Sequence, residues 1–389
     1  MLNRKLRMGL IGGGPGSFIG HIHHKSAIMD GKAELVAGAF SRNPEKSKQT
    51  GKSLMLDDSR IYPSWEQMLT SEMQLPADEQ IDFVAITTPN DSHFPIARDF
   101  LNAGFHVMCE KPMTLNLQEA KELKEIVKKS GNVFGLLHNY TGYPMVKLAR
   151  DIVRAGDIGN IRKVVVQYRQ GWLTTALEKS GNIQAEWRSD PARSGAGGAL
   201  GDIGTHAENL VEYITGLQIK ELCADLRTYV PGRILDDDVN CLLRFDSGAG
   251  GLLHASQISA GEENGLAIWI FGDLKSLEWH QENPNYLYLK QDQGVTHVWK
   301  HGNTYVDRKS PAAARATRLP FGHPEGFIEA FANIYNNFND TLRAVLVNEK
   351  PDELFLDFPD VDDGVRGMRF IETVIKSANS DQKWTTMVP

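Results

Sequence analysis

Asp202 and His206 lie four residues apart in the run GGALGDIGTH, residues 197–206. If that run opens a helix, the two side chains share one face, so a carboxylate and an imidazole can grip one ligand. Imidazole is the side chain suited to accepting a proton at neutral pH, because its unperturbed pKa is about 6.5. The glycines ahead of the pair let the helix start approach a bound group closely. A third polar group comes from Cys109-Glu110-Lys111-Pro112, where Lys111 falls just past the end of an apolar run. In an open parallel sheet, that end of the strands is where ligands bind. An amine, a carboxylate and an imidazole gathered there would move a proton at a bound oxygen and stabilise charge on it.

A second constellation sits near the N-terminus. Gly12 and Gly14 fall where a strand turns into a helix, so backbone amides and the helix start can meet a pyrophosphate with no side chain in the way. Gly16, Ser17 and Phe18 continue this turn. Ser17 stands where GxGxxG has its third glycine, and Gly16 and Gly20 are the alternatives in a lengthened turn. After the second strand, where an acidic residue would bind a ribose 2′-hydroxyl, the chain has Ser41 and Arg42. That pair leans towards a 2′-phosphate but can also flank a plain ribose. The expected cofactor is therefore NAD(H) or NADP(H).

The elements that must position these groups follow from patterning. Apolar runs at 8–11, 34–40, 81–87, 105–109 and 133–137 alternate with helical stretches, which signals a parallel sheet with crossover helices. Thr88-Pro89-Asn90 ends the third run, and Asn116 caps a helix to about residue 129. Beyond residue 138 the pattern changes. A helix at 145–155 is followed by longer strands at 163–169, 239–245, 250–257 and 267–272, joined by short glycine-bearing turns that favour antiparallel pairing. Residues 327–346 and 360–375 read as late helices. The expectation is an α/β chain: a Rossmann-type domain at 1–138, then an α+β domain at 139–389 with a large, mostly antiparallel open sheet. An open sheet face needs cover, so a homodimer or homotetramer is expected.

Composition bounds the rest. At 389 residues the chain exceeds the ~250–300 at which single cores stop growing, so two domains are expected. A formal net charge of −7 gives no reason to bind phosphate backbones, which argues against nucleic acid. Cys109, Cys223 and Cys241 are far apart, which argues against a disulfide framework or a zinc ribbon. No run approaches the ~18–20 apolar residues of a membrane span, and no signal-like segment opens the chain, so a cytoplasmic location is the default expectation. His21, His23 and His24 lack the carboxylate partners of a metal site, and none is assigned. Asp236-Asp237-Asp238 lacks calcium-loop spacing and reads as a solvated turn or as one carboxylate facing the site.

The glycine turn, Thr88-Pro89-Asn90 followed by His93, Glu110-Lys111-Pro112 and the GGxxxDxGxH run occur in an order that closely resembles the Gfo/Idh/MocA family, which includes inositol dehydrogenases and glucose-fructose oxidoreductases. The resemblance spans essentially the whole chain. It implies a nicotinamide cofactor held by the glycine turn with Thr88, Pro89, Asn90, His93, Glu110 and Lys111, and a Lys111, Asp202 and His206 set acting on a sugar-like alcohol. Oxidising a secondary alcohol by hydride transfer requires loss of the hydroxyl proton. His206 is the expected base, Asp202 orients substrate or imidazole, and Lys111 donates to the reacting oxygen or shares the proton relay. Tyr140, Trp187, Arg188 and His323 sit in loop-like segments as candidate substrate contacts.

The expected substrate is a small sugar, sugar derivative or cyclitol. Two other readings predict different products. An NAD-dependent glycosidase, acting for example on sulfoquinovosides, would oxidise transiently, eliminate, add and re-reduce with the same three residues. A non-catalytic nucleotide-binding protein would place no base near the nicotinamide.

Overall fold

The computed structural model describes residues 2–388. Among them the strands form two sheets and the chain divides into two compact units. In the first, β1 (Leu6–Gly12), α1 (Ile19–Ile28), β2 (Ala33–Ala39), α2 (Pro44–Ser53), α3 (Trp65–Glu72), β3 (Phe83–Thr87), α4 (His93–Asn102), β4 (His106–Cys109), α5 (Leu117–Ser130) and β5 (Phe134–Leu136) alternate along the chain. The sheet is parallel with order β2-β1-β3-β4-β5. Its central strands are buried on both faces, which is why they read as unbroken apolar runs.

Register aligns the functional loops. Gly12 pairs with Thr87, and Ile86 with Cys109, so the glycine turn, the segment after Thr87 and the segment after Cys109 all leave the sheet at the same edge. Two helices unmarked by the apolar patterning, α2 and α3, fill the crossover from β2 to β3. Their start signals are in the sequence. Asn43 accepts from the Lys46 amide ahead of Pro44, and Ser64 accepts from the Gln67 amide.

The second unit carries α6 (Pro144–Arg154), β6 (Ile161–Arg169), α7 (Ile183–Arg188), α8 (Pro191–Ser194), α9 (Thr205–Thr215), β7 (Ile219–Arg227), β8 (Asp238–Phe245), β9 (Gly250–Ser256), β10 (Gly265–Gly272), β11 (Lys275–His280), β12 (Tyr286–Gln291), β13 (Thr296–Lys300), α10 (Thr304–Lys309) and α11 (Pro311–Ala316). Its nine-stranded sheet runs β13-β12-β11-β10-β6-β9-β8-β7-β14, with β14 at Thr385–Thr386. Pairing is antiparallel except between β6 and β9, which run parallel because the long excursion through α7 to α9 and two further strands separates them.

Period-two alternation gives this sheet two different faces. Cys241, Leu253, Val166, Ile268, Trp279 and Leu287 form a buried row across successive strands. One residue out of phase, Leu242, Leu252, Val165, Trp269, Glu278, Tyr288 and Val298 form a row that stays partly exposed. α6 and α9 pack on the strands of the sheet.

The chain does not divide once at residue 138. α12 (Phe327–Val345), assigned above to the second domain, belongs to the first unit, which comprises residues up to Thr114, Gln118–Asn139 and Phe327–Val365. Phe331, Ile334, Tyr335, Phe338 and Leu342 complete the core formed by Leu6, Met8, Leu10, Phe83 and Met108. α13 (Val361–Ala378) starts in the first unit and its later residues belong to the second.

Candidate active site

In the first unit the glycine turn is shaped for close approach. Gly12 has φ +92°, and a Cβ there would lie 2.7 Å from the Thr87 hydroxyl. A Cβ on Gly14 would lie 2.6 Å from the Phe40 carbonyl oxygen, and Gly16 adopts φ +81°. The glycine that brings α1 against the turn is Gly20, since a Cβ there would sit 2.2 Å from the Gly13 Cα. The lengthened turn therefore moves the packing glycine past Ser17, whose hydroxyl accepts from the Gly20 amide at 3.2 Å. Phe18 is 63% exposed, with its ring near Phe327. An anion is favoured at this helix start, and the backbone cradle fits a dinucleotide pyrophosphate.

Ser41 accepts from the Asn43 amide, and Arg42 reaches Asp91 at 3.2 Å. The missing carboxylate after the second strand thus has a neighbour from another loop, which no local signal could reveal. Thr88 and Pro89 lead into a short turn at Asn90–Ser92, and Asn90 is buried. His93 has no exposed surface, and its ring nitrogens face the Pro112 carbonyl at 2.9 Å and the Thr88 carbonyl at 2.8 Å. Both nitrogens face backbone oxygens, and a neutral ring donates to one of them, so His93 is packed between two loops of the protein. Burial pushes its proton affinity down.

Glu110 is likewise engaged within the protein. Its carboxylate receives the His23 ring at 2.7 Å and the Lys111 amide at 3.0 Å. Burial alone would raise its pKa, but the His23 hydrogen bond and the nearby positive charge of Lys111 outweigh this and hold it below the usual carboxylate value. Lys111 itself is half-buried, just past β4.

In the second unit Asp202 lies in a π-helical turn, Leu200–Gly204, that runs directly into α9. Single π turns are frequent at functional positions. Asp202 and His206 thus follow one another through a widened turn rather than a regular α-helix. The Asp202 carboxylate accepts from Gln257 Nε2 at 2.8 Å and from Arg188 Nε at 3.2 Å. Arg188 ends α7, where its guanidinium lies 4.1 Å over the Trp187 ring and 6.0 Å from that of Trp172. His206 is buried, 4.8 Å from Tyr140 in an edge contact and 6.3 Å from Tyr168. The Tyr140 and Tyr168 hydroxyls are hydrogen-bonded to each other, and Tyr168 donates on to Asn264 at 2.6 Å. Burial, then the proximity of Tyr140 and Asp202, push the Tyr168 phenol well above its usual range, so it stays protonated.

Asp236 holds the GGALGDIGTH run in place. Its carboxylate accepts from the Gly198 and Leu200 amides, both at 2.7 Å. Burial raises its pKa to about 6 against the opposing pull of those two amides. Asp237 accepts from the Tyr229 and Val230 amides and from Arg233. These two carboxylates are buried anchors, which corrects the first of the two sequence readings, a solvated turn; the second was one carboxylate facing the site. His323 is exposed, and its ring approaches only the Pro320 and Phe321 carbonyls of its own loop, so it does not join the Asp202–His206 cluster. Gln257, Tyr168 and Asn264 enter the cluster from the sheet without any sequence signal. Among the described residues no group of three His, Cys, Asp or Glu side chains is placed to hold a metal ion, and no helix is long and apolar enough to cross a membrane.

Comparison with known proteins agrees with this layout. Residues 6–138 match the oxidoreductase family with an NAD-binding Rossmann fold, and residues 146–278 match a GFO/IDH/MocA C-terminal domain. The uncharacterized oxidoreductase YfiI of Bacillus subtilis (strain 168) is 34% identical over 99% of this chain and 97% of its own length. Levoglucosan dehydrogenase of Pseudarthrobacter phenanthrenivorans is 28% identical over 74% of this chain and 76% of its own. A crystal structure of an inositol dehydrogenase homolog from Azotobacter vinelandii, complexed with NAD+, superposes with a TM-score of 0.93 at 34% identity, covering 99% of this chain and 98% of that one.

Proposed function

The chain belongs to the GFO/IDH/MocA family of oxidoreductases with an NAD-binding Rossmann domain, and we propose that it moves a hydride between the nicotinamide and a secondary alcohol or ketone of a sugar, sugar derivative or cyclitol. The observation that carries this reading is His206 among aromatic rings, in the helix that continues the turn bearing Asp202, itself gripped by Arg188 and Gln257. Sugar and cyclitol dehydrogenases among its relatives support the substrate class.

Gly12, Gly14 and the start of α1 would hold the pyrophosphate, and the nicotinamide, when bound, would supply the hydride acceptor or donor. The protein's own residues then handle the proton. His206 takes it from the substrate hydroxyl as a general base. Asp202, fixed from two sides, orients the substrate or the imidazole. Lys111 donates a hydrogen bond to the reacting oxygen and stabilises negative charge developing there. Trp172, Trp187 and Arg188 present ring faces and a polar edge suited to a sugar-sized ligand.

Asp91 beside Arg42 opposes the charge of a 2′-phosphate, which favours NAD(H) over NADP(H). The partly exposed, mostly apolar row on the second sheet, interrupted by Glu278, supports self-association as a homodimer or homotetramer, which sedimentation velocity tests. The substrate reading is tested by incubating the protein and NAD+ with inositol isomers, levoglucosan and simple hexoses while following absorbance at the NADH band. NADH formation with one of these classes is expected. Release of free sugar from a glycoside without net NADH would replace this reading with the redox-neutral hydrolytic one.

A further inference from the structure

Glu110 sits at the end of a buried hydrogen-bonded chain that reaches into a helix more than two hundred residues further along. Tyr335 of α12 lies 2.7 Å from His23 Nδ1, and His23 Nε2 lies 2.7 Å from Glu110 Oε1. Glu110 Oε2 accepts from the Lys111 amide at 3.0 Å. The carboxylate only accepts, so His23 Nε2 carries the proton and Nδ1 accepts from the Tyr335 hydroxyl. A neutral imidazole satisfies every partner in this arrangement. The ring of His23 also meets Phe331 and Tyr335 edge-on, which fixes its plane.

We propose that His23 and Tyr335 are positioning residues for Lys111, acting through Glu110: they lock the carboxylate that holds the Lys111 backbone. The proposal rests on the reading of Lys111 as a catalytic residue. A carboxylate buried this deeply keeps its charge only while hydrogen-bonded. The groups that face Glu110 are His23 from α1, Tyr335 from α12, His93 from α4, Cys109 from β4 and Lys111 itself. His93 already faces two carbonyls, and burial pushes the Cys109 thiol well up. His23 is therefore the donor that keeps Glu110 ionised from the helix side. Without it, the desolvated carboxyl takes up a proton, and the anion that holds the Lys111 backbone is lost.

The test compares His23→Leu, His23→Gln, Tyr335→Phe and Lys111→Met, each checked by circular dichroism and by NADH binding through fluorescence, with kcat, KM and the pH profile of kcat as readouts. Loss of one charge-assisted hydrogen bond is expected to lower kcat of His23→Leu by about tenfold. Its acidic limb is expected to move to higher pH by about half a unit or more, because Glu110 loses the hydrogen bond that holds its pKa down, with NADH affinity within about threefold of wild type. His23→Gln, whose amide can still donate to Glu110, is expected to recover most of kcat and the original limb. Tyr335→Phe is expected to lose about threefold in kcat, since it removes one neutral hydrogen bond. A folded, NADH-binding His23→Leu with wild-type kcat and pH profile overturns the proposal. If His23→Leu does not fold, an unchanged kcat in Tyr335→Phe overturns it. Full turnover in Lys111→Met overturns the catalytic reading of Lys111 instead, so the two failures are distinct.

Discussion

The two units present their chemistry in different ways. In the first, the groups that the sequence marks as reactive are locked against one another: His93 between two carbonyls, Glu110 between His23 and the Lys111 amide, Gly20 against Gly13. In the second, Asp202 and Arg188 remain partly exposed, with ring faces of Trp187 and Trp172 beside them. The first unit shapes backbone for a cofactor that many enzymes share. The second, on the function proposed above, presents side chains for a substrate that few share, through groups that can vary while the fold stays the same.

That contrast predicts which changes cost activity and which cost stability or affinity. His206→Ala in the second unit should lower kcat by about 10²–10⁴-fold, the usual contribution of a general base, with NADH affinity unchanged by fluorescence titration. Retained turnover would move the proton-transfer chemistry away from the second unit.

Asp236→Asn tests whether the second unit's site depends on a buried anchor. The Asp236 carboxyl is raised from the ordinary 3.8 to about 6, so the folded chain binds this proton more tightly than the unfolded one. The stability it contributes is complete below about pH 4 and is lost as pH rises through about 6, a change on the order of 2–3 kcal/mol. In urea unfolding the variant should therefore gain on wild type between those pH values. A constant difference across the range would show that the two amides from residues 198 and 200 hold the group ionised throughout.

Gly20→Ala asks the same of the first unit. The added methyl would meet the Gly13 backbone, and the required shift should lower stability by about 1–3 kcal/mol and weaken NADH binding with little effect on kcat at saturation. The smallest effect is expected at Asp91→Asn. Its partner Arg42 is 78% exposed, and an exposed pair contributes at most about 1 kcal/mol, so NADPH binding should tighten about fivefold at low salt and NADH binding should stay nearly constant. Unchanged NADPH affinity would mean that Asp91 plays no part in cofactor choice.

Much of the architecture was legible because it is written in local periods. Unbroken apolar runs marked the parallel strands, and longer apolar runs joined by glycine-bearing turns marked four strands of the second sheet, while the helices at Pro44–Ser53 and Trp65–Glu72 went unread although their cap residues were there. The order of glycine turn, Glu110-Lys111-Pro112 and the 197–206 run pointed to a nicotinamide enzyme, a placement with which both family matches agree. The place of His323 was not legible, because a histidine in a loop carries no information on where that loop points. Asp236-Asp237 misled because consecutive carboxylates are solvated unless something buries them, and here backbone amides from 198, 200, 229 and 230 do.

The residue types that can carry a hydride enzyme's proton chemistry, and the strand ends that present them, were fixed by short-range pattern and by the steric freedom of glycine. Which distant group completes each of them was decided by packing alone. Tyr335 reaches His23, Asp91 reaches Arg42, and Asp236 reaches Gly198 because the folded core brings those segments within hydrogen-bonding distance. A pairing made across tens or hundreds of residues leaves no period in the sequence to be read.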